Sequence, residues 1–325
     1  MGKAAHRARY AAEEKSRRRT FILTVVMGLA LVAVAAGTGV VFARQKAPAP
    51  PAFAQPSTFA ELAAIKPDEL GKVDLARMNL LCASGLPGAE DLDLAGCLAA
   101  LDRYATVVRD QTEKYLPMYS RAPEKFRNIE GFYRMQMMVT VLKQDLGIDY
   151  SADRSNDEPA EKFFANSKDV FVNGLLAPPH TGTCASLPVL VVAVGLRLGY
   201  PVHLVATRNH LFARWETTDG KERFNIECTN GGMTSHPDEY YTKGHFAWYD
   251  AAFSGEGFLQ SMSPQKALAD FLDLRGLCLR MNGRFSEARE AYQLASTLKP
   301  ESKILAEKFR NVVREEQTGQ LITKN

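Results

Sequence analysis

From Phe21 to Ala43 the sequence FILTVVMGLALVAVAAGTGVVFA runs for 23 residues without a charged side chain. A helix of that length crosses a hydrocarbon core of about 30 Å, and a single segment there must satisfy its own backbone hydrogen bonds. Topology is therefore constrained before any detail of fold. Lys3, Arg7, Arg9, Lys15, Arg17, Arg18 and Arg19 precede the run, and only Arg44 and Lys46 come closely after it. That asymmetry keeps the N-terminus cytoplasmic and exports the chain beyond the run. We expect a basic cytoplasmic tail at 1–20, an uncleaved transmembrane helix at 21–43, and the bulk of the chain in the periplasm or cell envelope. A cleaved signal is the rival, since Ala52-Phe53-Ala54 resembles a cleavage site and Arg18 to Leu23 weakly resembles a twin-arginine signal. The apolar run exceeds the roughly 7 to 15 residues of a signal core. Both readings export residues 55–325.

With 46% hydrophobic and 24% charged residues, the 325-residue chain has a globular composition, with room for one sizeable core. The net charge of +3 comes from the first twenty residues, where seven basic side chains face Glu13 and Glu14. The remainder is slightly acidic, which argues against nucleic acid as a partner. An exported compartment permits disulfides. Of the five cysteines, Cys82 and Cys97 stand close enough in sequence to bridge a short loop. Cys228 and Cys278 are open to pairing or burial, and an odd total leaves at least one thiol over within a single chain.

Residues 44–58, rich in Ala and Pro, read as an extended spacer. Helical periodicity then runs through DLAGCLAALDRYATVVRDQTEKYL and IEGFYRMQMMVTVLKQDLG, with Gly147 as a stop, before a loop at SADRSNDEPAE. HTGTCASLPVLVVAVGLRLGYP, His180 to Pro201, is apolar enough for a buried helix beginning near Cys184, with Thr183 as cap, Pro188 in the first turn and Gly199 as terminator. Beyond it VHLVA, HLFARWE and RFNIECT read as three short strands, the last two joined across TTDGKE. A helical block and then an antiparallel meander predict an α+β domain over 59–262. Residues 263–325 are helical again. Gly276, Gly283, Phe285, Ala288, Tyr292, Ala295 and Pro300 stand at tetratricopeptide-like offsets, and one such unit must pack on the domain or on a protein partner.

A thiol at a helix start meets free amide hydrogens that favour thiolate and can receive an oxyanion. Local pattern alone still favours a structural cysteine, because a nucleophile needs a base and the base an orienting group. Among six histidines, His210 opens a strand from which its ring can enter a cleft, while His203 sits within an apolar strand pattern and His180 lies four residues before the thiol. Centring the hairpin on Asp219-Gly220 sets Glu227 opposite Phe212 and Thr229 opposite His210. His210 and Glu227 are then diagonal neighbours on one face, with Asn225 on that face too. An acid in a half-buried strand needs a partner, and His210 is available. A metal site of Cys184, His210 and Cys228 is disfavoured, since 227 and 228 point to opposite faces and no paired ligand motif occurs.

FVNGLL at 171–176, GTCASLPVL at 182–190, RLGYPVHLVATRNHLFARW at 197–215, and NIECTNGG at 225–232 with DEYY after it at 238–241 resemble, in that order, the transglutaminase-like superfamily, most closely its SirB-type bacterial branch. The resemblance covers about 90–245. It implies a papain-like core with an antiparallel sheet, Cys184 as nucleophile, His210 as base and Glu227 at the position of the triad acid. Many members carry Asp where Glu227 stands. Asn225 is therefore kept as an alternative orienter, and Asn209 and His180 as orienting or substrate contacts.

Two functions are open to a chain with these residues. One is a membrane-anchored thiol acyl-transfer enzyme, a transglutaminase or an amide hydrolase, acting without metal or organic cofactor on a protein or peptide of the cell envelope. The other is a catalytically silent scaffold or binding module that uses its C-terminal helices to hold a partner.

Overall fold

The computed structural model describes residues 53–151, 160–229, 232–243, 246 and 255–322. The expected cytoplasmic tail and transmembrane helix lie outside them, as do most of the loop at 151–161 and the expected cleavage site apart from Phe53 and Ala54. Among the described residues no helix is long and apolar enough to cross a membrane. The architecture is mixed α+β, mostly helical, with one small antiparallel sheet and a helical hairpin near the C-terminus.

Helices α1 (Phe59–Ala63), α2 (Leu75–Ala83), α3 (Leu94–Arg121) and α4 (Glu130–Gln144) form the N-terminal block. Short polar side chains start three of them: Thr58, Asp74 and Asp93 each accept a backbone N–H from the first turn. Gly147, at φ 72°, ends the α4 segment as expected, with the Ile148 amide donating back to the Leu142 carbonyl. Part of the expected spacer is tied down. Gln55 donates to the Lys72 carbonyl at 2.7 Å and accepts from the Asp74 amide at 3.0 Å.

Two-residue strands β1 (Asp149–Tyr150) and β2 (Thr181–Gly182) pair in parallel, bracketing short helices α5 (Ala160–Phe163), α6 (Ser167–Val170) and α7 (Val172–Leu175). Next comes α8 (Leu187–Arg197), buried on every side from Leu187 to Gly195, which explains why its sequence shows no polar face. It packs against α3 and the sheet. A β-carbon on Gly195 would lie 2.6 Å from Val202, so glycine is what lets helix and sheet approach there. Gly199, at φ 75°, terminates the segment, with the Tyr200 amide bonded to the Gly195 carbonyl.

The sheet runs β3 (Val202–Thr207), β4 (His210–Glu216), β5 (Arg223–Ile226). Ala213 pairs with Ile226 and Arg214 with Asn225, the register that a turn centred on Asp219-Gly220 requires. The third strand is shorter than expected. Glu227 bonds Thr234 in an isolated bridge and leaves the ladder. One face of the sheet, with Ala213, Trp215, Phe224 and Ile226, belongs to the main core, while Phe212 on the other belongs to a small aromatic cluster with Val205, Tyr241 and Phe246.

Helices α9 (Pro264–Met281), α10 (Phe285–Leu298) and α11 (Lys303–Ile322) complete the chain. Gly276 of α9 faces the Tyr292 ring so closely that a β-carbon would lie 2.6 Å from it, which brings α9 and α10 together as a hairpin. The buried face of α9 packs on α2, where Arg275 donates to the carbonyls of Cys82 and Ser84 at 2.8 and 2.7 Å. All five cysteines are free thiols, so the Cys82–Cys97 bridge that the spacing allows is not formed. Cys82 lies fully inside the core beneath Arg275, and burial, only partly offset by the Arg275 charge, pushes its thiol up to about 12.

Candidate active site

The structure begins α8 three residues later than the sequence suggests, at Leu187 instead of near Cys184. Cys184 occupies a single turn leading into the helix, closed by the Leu187 amide on the Thr183 carbonyl at 3.0 Å. Side chains account for the difference. Thr183 Oγ1 donates to the Asp169 carbonyl at 2.7 Å and accepts from the Ala185 amide, while Ser186 Oγ accepts from the Thr183 amide. The β1–β2 pairing holds the preceding residues, with Tyr150 opposite Gly182. The thiol thus sits on backbone fixed from both sides, 5% exposed.

His210, the first residue of β4, is hydrogen-bonded to Cys184. Its Nε2 faces Glu227 Oε2 at 2.8 Å. With Nε2 committed to the carboxylate, Nδ1 is the nitrogen left for the thiol. The carboxylate is itself held. Glu227 Oε1 accepts from the Thr229 amide at 3.0 Å and the Thr229 hydroxyl at 2.7 Å, and Oε2 also accepts from the Tyr241 hydroxyl at 3.3 Å. Tyr241 is stacked on Phe212 at 4.0 Å between centroids, and Phe246 lies 5.0 Å from the His210 ring. These aromatic side chains keep water from the imidazole and carboxylate, which are 7% and 3% exposed.

Burial alone disfavours the imidazolium, yet the hydrogen bonds to Cys184 and Glu227 and the Glu227 charge outweigh it and push His210 up to about 9. Glu227 shows the mirror image. Burial raises its carboxyl, but His210 and the two Thr229 donors prevail and hold it below the usual range. The protonated imidazole therefore stabilises the fold fully below about 6.5, its ordinary value, and that contribution is lost as pH rises through about 9. The carboxylate contributes above its ordinary 4.5, and this is lost as pH falls through its depressed value. The urea midpoint is expected to decline from pH 6.5 to pH 9.5, and Glu227→Gln to flatten that decline. An alkaline limb equally steep in the variant would contradict the pairing.

Three other expected residues make no contact in the Cys184, His210 and Glu227 chain of hydrogen bonds. Asn225 shares the face of Glu227, but its side chain accepts from Arg214 Nε at 2.7 Å and donates to Asp238 and to the His236 carbonyl, giving it a part in a buried network beside Glu227. His180, at φ 61°, bonds the Leu175 carbonyl through Nδ1 at 2.9 Å and fixes its own loop. Asn209, exposed at φ 57° in the β3–β4 turn, lies on the cleft that Cys184 and His210 line. Cys228 turns away from Glu227, packs against the main core and donates weakly to the Ile226 carbonyl. Among the described residues no cluster of His, Cys, Asp and Glu is arranged to hold a metal.

Sequence reasoning did not assign Thr229 and Tyr241 to the carboxylate. The signals were present: Thr229 is two residues from Glu227 on its face, and Tyr241 lies in DEYY. It also missed the cleft itself. Cys184 and His210 open onto a groove of about 620 Å³, of a size ordinary for ligand sites, and the C-terminal helices supply much of its wall. Comparison with family models, with curated proteins and with solved structures found no match.

Proposed function

We propose that the chain is a membrane-anchored, exported thiol acyl-transfer enzyme with a transglutaminase-like, papain-like core and a tetratricopeptide-like C-terminal unit. The observation that supports it is His210 standing between a buried thiol and a buried, four-times hydrogen-bonded carboxylate beside an open cleft. A histidine kept only for packing has no need of both partners. The proposed substrate is a protein or peptide of the cell envelope, and nucleic acid has no place in the reading.

In the reaction, His210 holds on Nδ1, as an imidazolium, the proton taken from Cys184, and the sulfur so freed attacks an amide carbonyl. The new C–S bond leaves an oxyanion, to which the Cys184 amide donates. Collapse breaks the C–N bond, and the amine departs with the proton that His210 held. Water or a second amine then adds to the thioester, gives a proton to His210 and displaces the sulfur, which takes that proton back. Water makes the enzyme a hydrolase and an amine makes it a transglutaminase. Glu227 holds the imidazole so that one nitrogen faces the thiol throughout, and stabilises the imidazolium. Each step needs only these side chains, without metal or organic cofactor.

The test is alkylation of Cys184 by iodoacetamide, with peptide mapping against pH in the wild type and His210→Ala. The wild type is expected to react at pH values below about 8.5, where a free cysteine becomes thiolate, and loss of the imidazole should move the profile upward. A Cys184 that is inert, or indifferent to His210, would sink the catalytic reading in favour of the silent scaffold, with the C-terminal helices as its binding surface.

A further inference from the structure

The C-terminal helices reach the cleft with a regular face. Asp270, Asp273, Leu274 and Leu277 line it, the i, i+3, i+4, i+7 stripe of α9, and all four are half-buried while the opposite face is packed on α2. From α11 come Ile304, Leu305 and Lys308. The charges on this wall are matched among themselves. Lys308 Nζ donates to both oxygens of Asp273 at 2.7 Å, and Lys299 lies 3.3 Å from Asp270 and 3.9 Å from Glu256. Such a wall offers a substrate little net charge to read. What it offers is apolar surface: Leu274 and Leu277, with Phe163 and Phe164 packed edge to face at 4.9 Å in the same groove as the Cys184 thiol.

We propose that the acyl donor is a peptide carrying a bulky apolar side chain beside the carbonyl that Cys184 attacks, and that Leu274 and Leu277 of the C-terminal hairpin select it. This rests on the catalytic reading and adds the substrate class. It also gives the hairpin a role within the enzyme, since its face toward Cys184 is a wall of the substrate groove.

The test uses the full chain and two peptidyl chloromethyl ketones, acetyl-Phe and acetyl-Gly, with iodoacetamide as a probe that has no side chain to recognise. Each ketone alkylates the thiolate with loss of chloride, and mapping reads Cys184 alone. Burying most of a phenylalanine side chain predicts a Phe-to-Gly rate ratio of about tenfold or more in the wild type. Leu277→Asn should bring that ratio toward one by wetting the wall, and Leu277→Trp should do so by filling the groove while the smaller Gly probe still enters. Equal wild-type rates for the two ketones, with iodoacetamide labelling that depends on His210, would overturn the substrate class and leave the catalytic reading standing. A preference for Phe that neither Leu277 variant lowers would place recognition away from the hairpin and overturn its role. His210-independent labelling by all three probes would overturn both.

Discussion

Glu227→Ala is expected to lower stability by about 3–5 kcal/mol, the range for removing one partner of a buried ion pair, and to cut the proposed acyl transfer by about 10⁴-fold, as when a catalytic histidine loses its orienting acid. The carboxylate accepts four hydrogen bonds at a site 3% exposed, so alanine strands the imidazole, the Thr229 amide and hydroxyl and the Tyr241 hydroxyl together. Glu227→Gln separates the two effects. It keeps an oxygen for some of those donors and loses the charge, so stability should suffer less than reactivity. Urea unfolding beside the alkylation profile of Cys184 measures both. A Glu227→Ala protein with wild-type midpoint and wild-type reactivity would remove the carboxylate from the mechanism.

Arg214→Leu is expected to be comparably damaging, again about 3–5 kcal/mol, for a reason remote from the thiol. The guanidinium is 1% exposed and bonds Asn225 Oδ1 at 2.7 Å, the Leu259 carbonyl at 2.8 Å and Asp238 Oδ1 at 2.7 Å. Leucine fills much of the space but leaves these acceptors without their donor, the costly kind of change in a buried network. Asp238 begins the short 3-10 helix that carries Tyr241, and Thr207 holds that helix from the sheet through the Tyr241 carbonyl at 3.0 Å. Loosening Asp238 should therefore loosen the Tyr241 hydroxyl on Glu227. The expected signature is a large drop in denaturation midpoint with a smaller loss of Cys184 reactivity. A stability within about 0.5 kcal/mol of wild type, the usual range for an inconsequential surface change, would show that Arg214 is dispensable.

The parts of the fold legible in the sequence are those that repeat locally. Strand alternation from Val202 to Ile226 and the Asp219-Gly220 turn determine which residues share a face, and so place His210 near Glu227. The apolar run from Leu187 to Gly195 identifies itself as a buried helix because no face of it is polar. What was not legible depends on distant segments. The two-residue pairing of β1 with β2 is too short to leave a pattern, and the turn at Cys184 is fixed partly by the Asp169 carbonyl. Amphipathicity in α9 tells which face is apolar, but not that the half-polar stripe from Asp270 to Leu277 lines the groove onto which Cys184 opens. Spacing left Cys82 free to bridge or to be buried, and its seat beneath Arg275 is a tertiary fact.

The two faces of the small sheet carry a final consequence. A slip of β5 by one residue would present Ile226 or Cys228 to His210 and drive the Glu227 carboxylate toward the apolar core. A mispaired chain would thus bury a carboxylate without its partner, so the register that folds best is also the one that sets Glu227 against His210, and under the proposed mechanism stability and reactivity would be lost together.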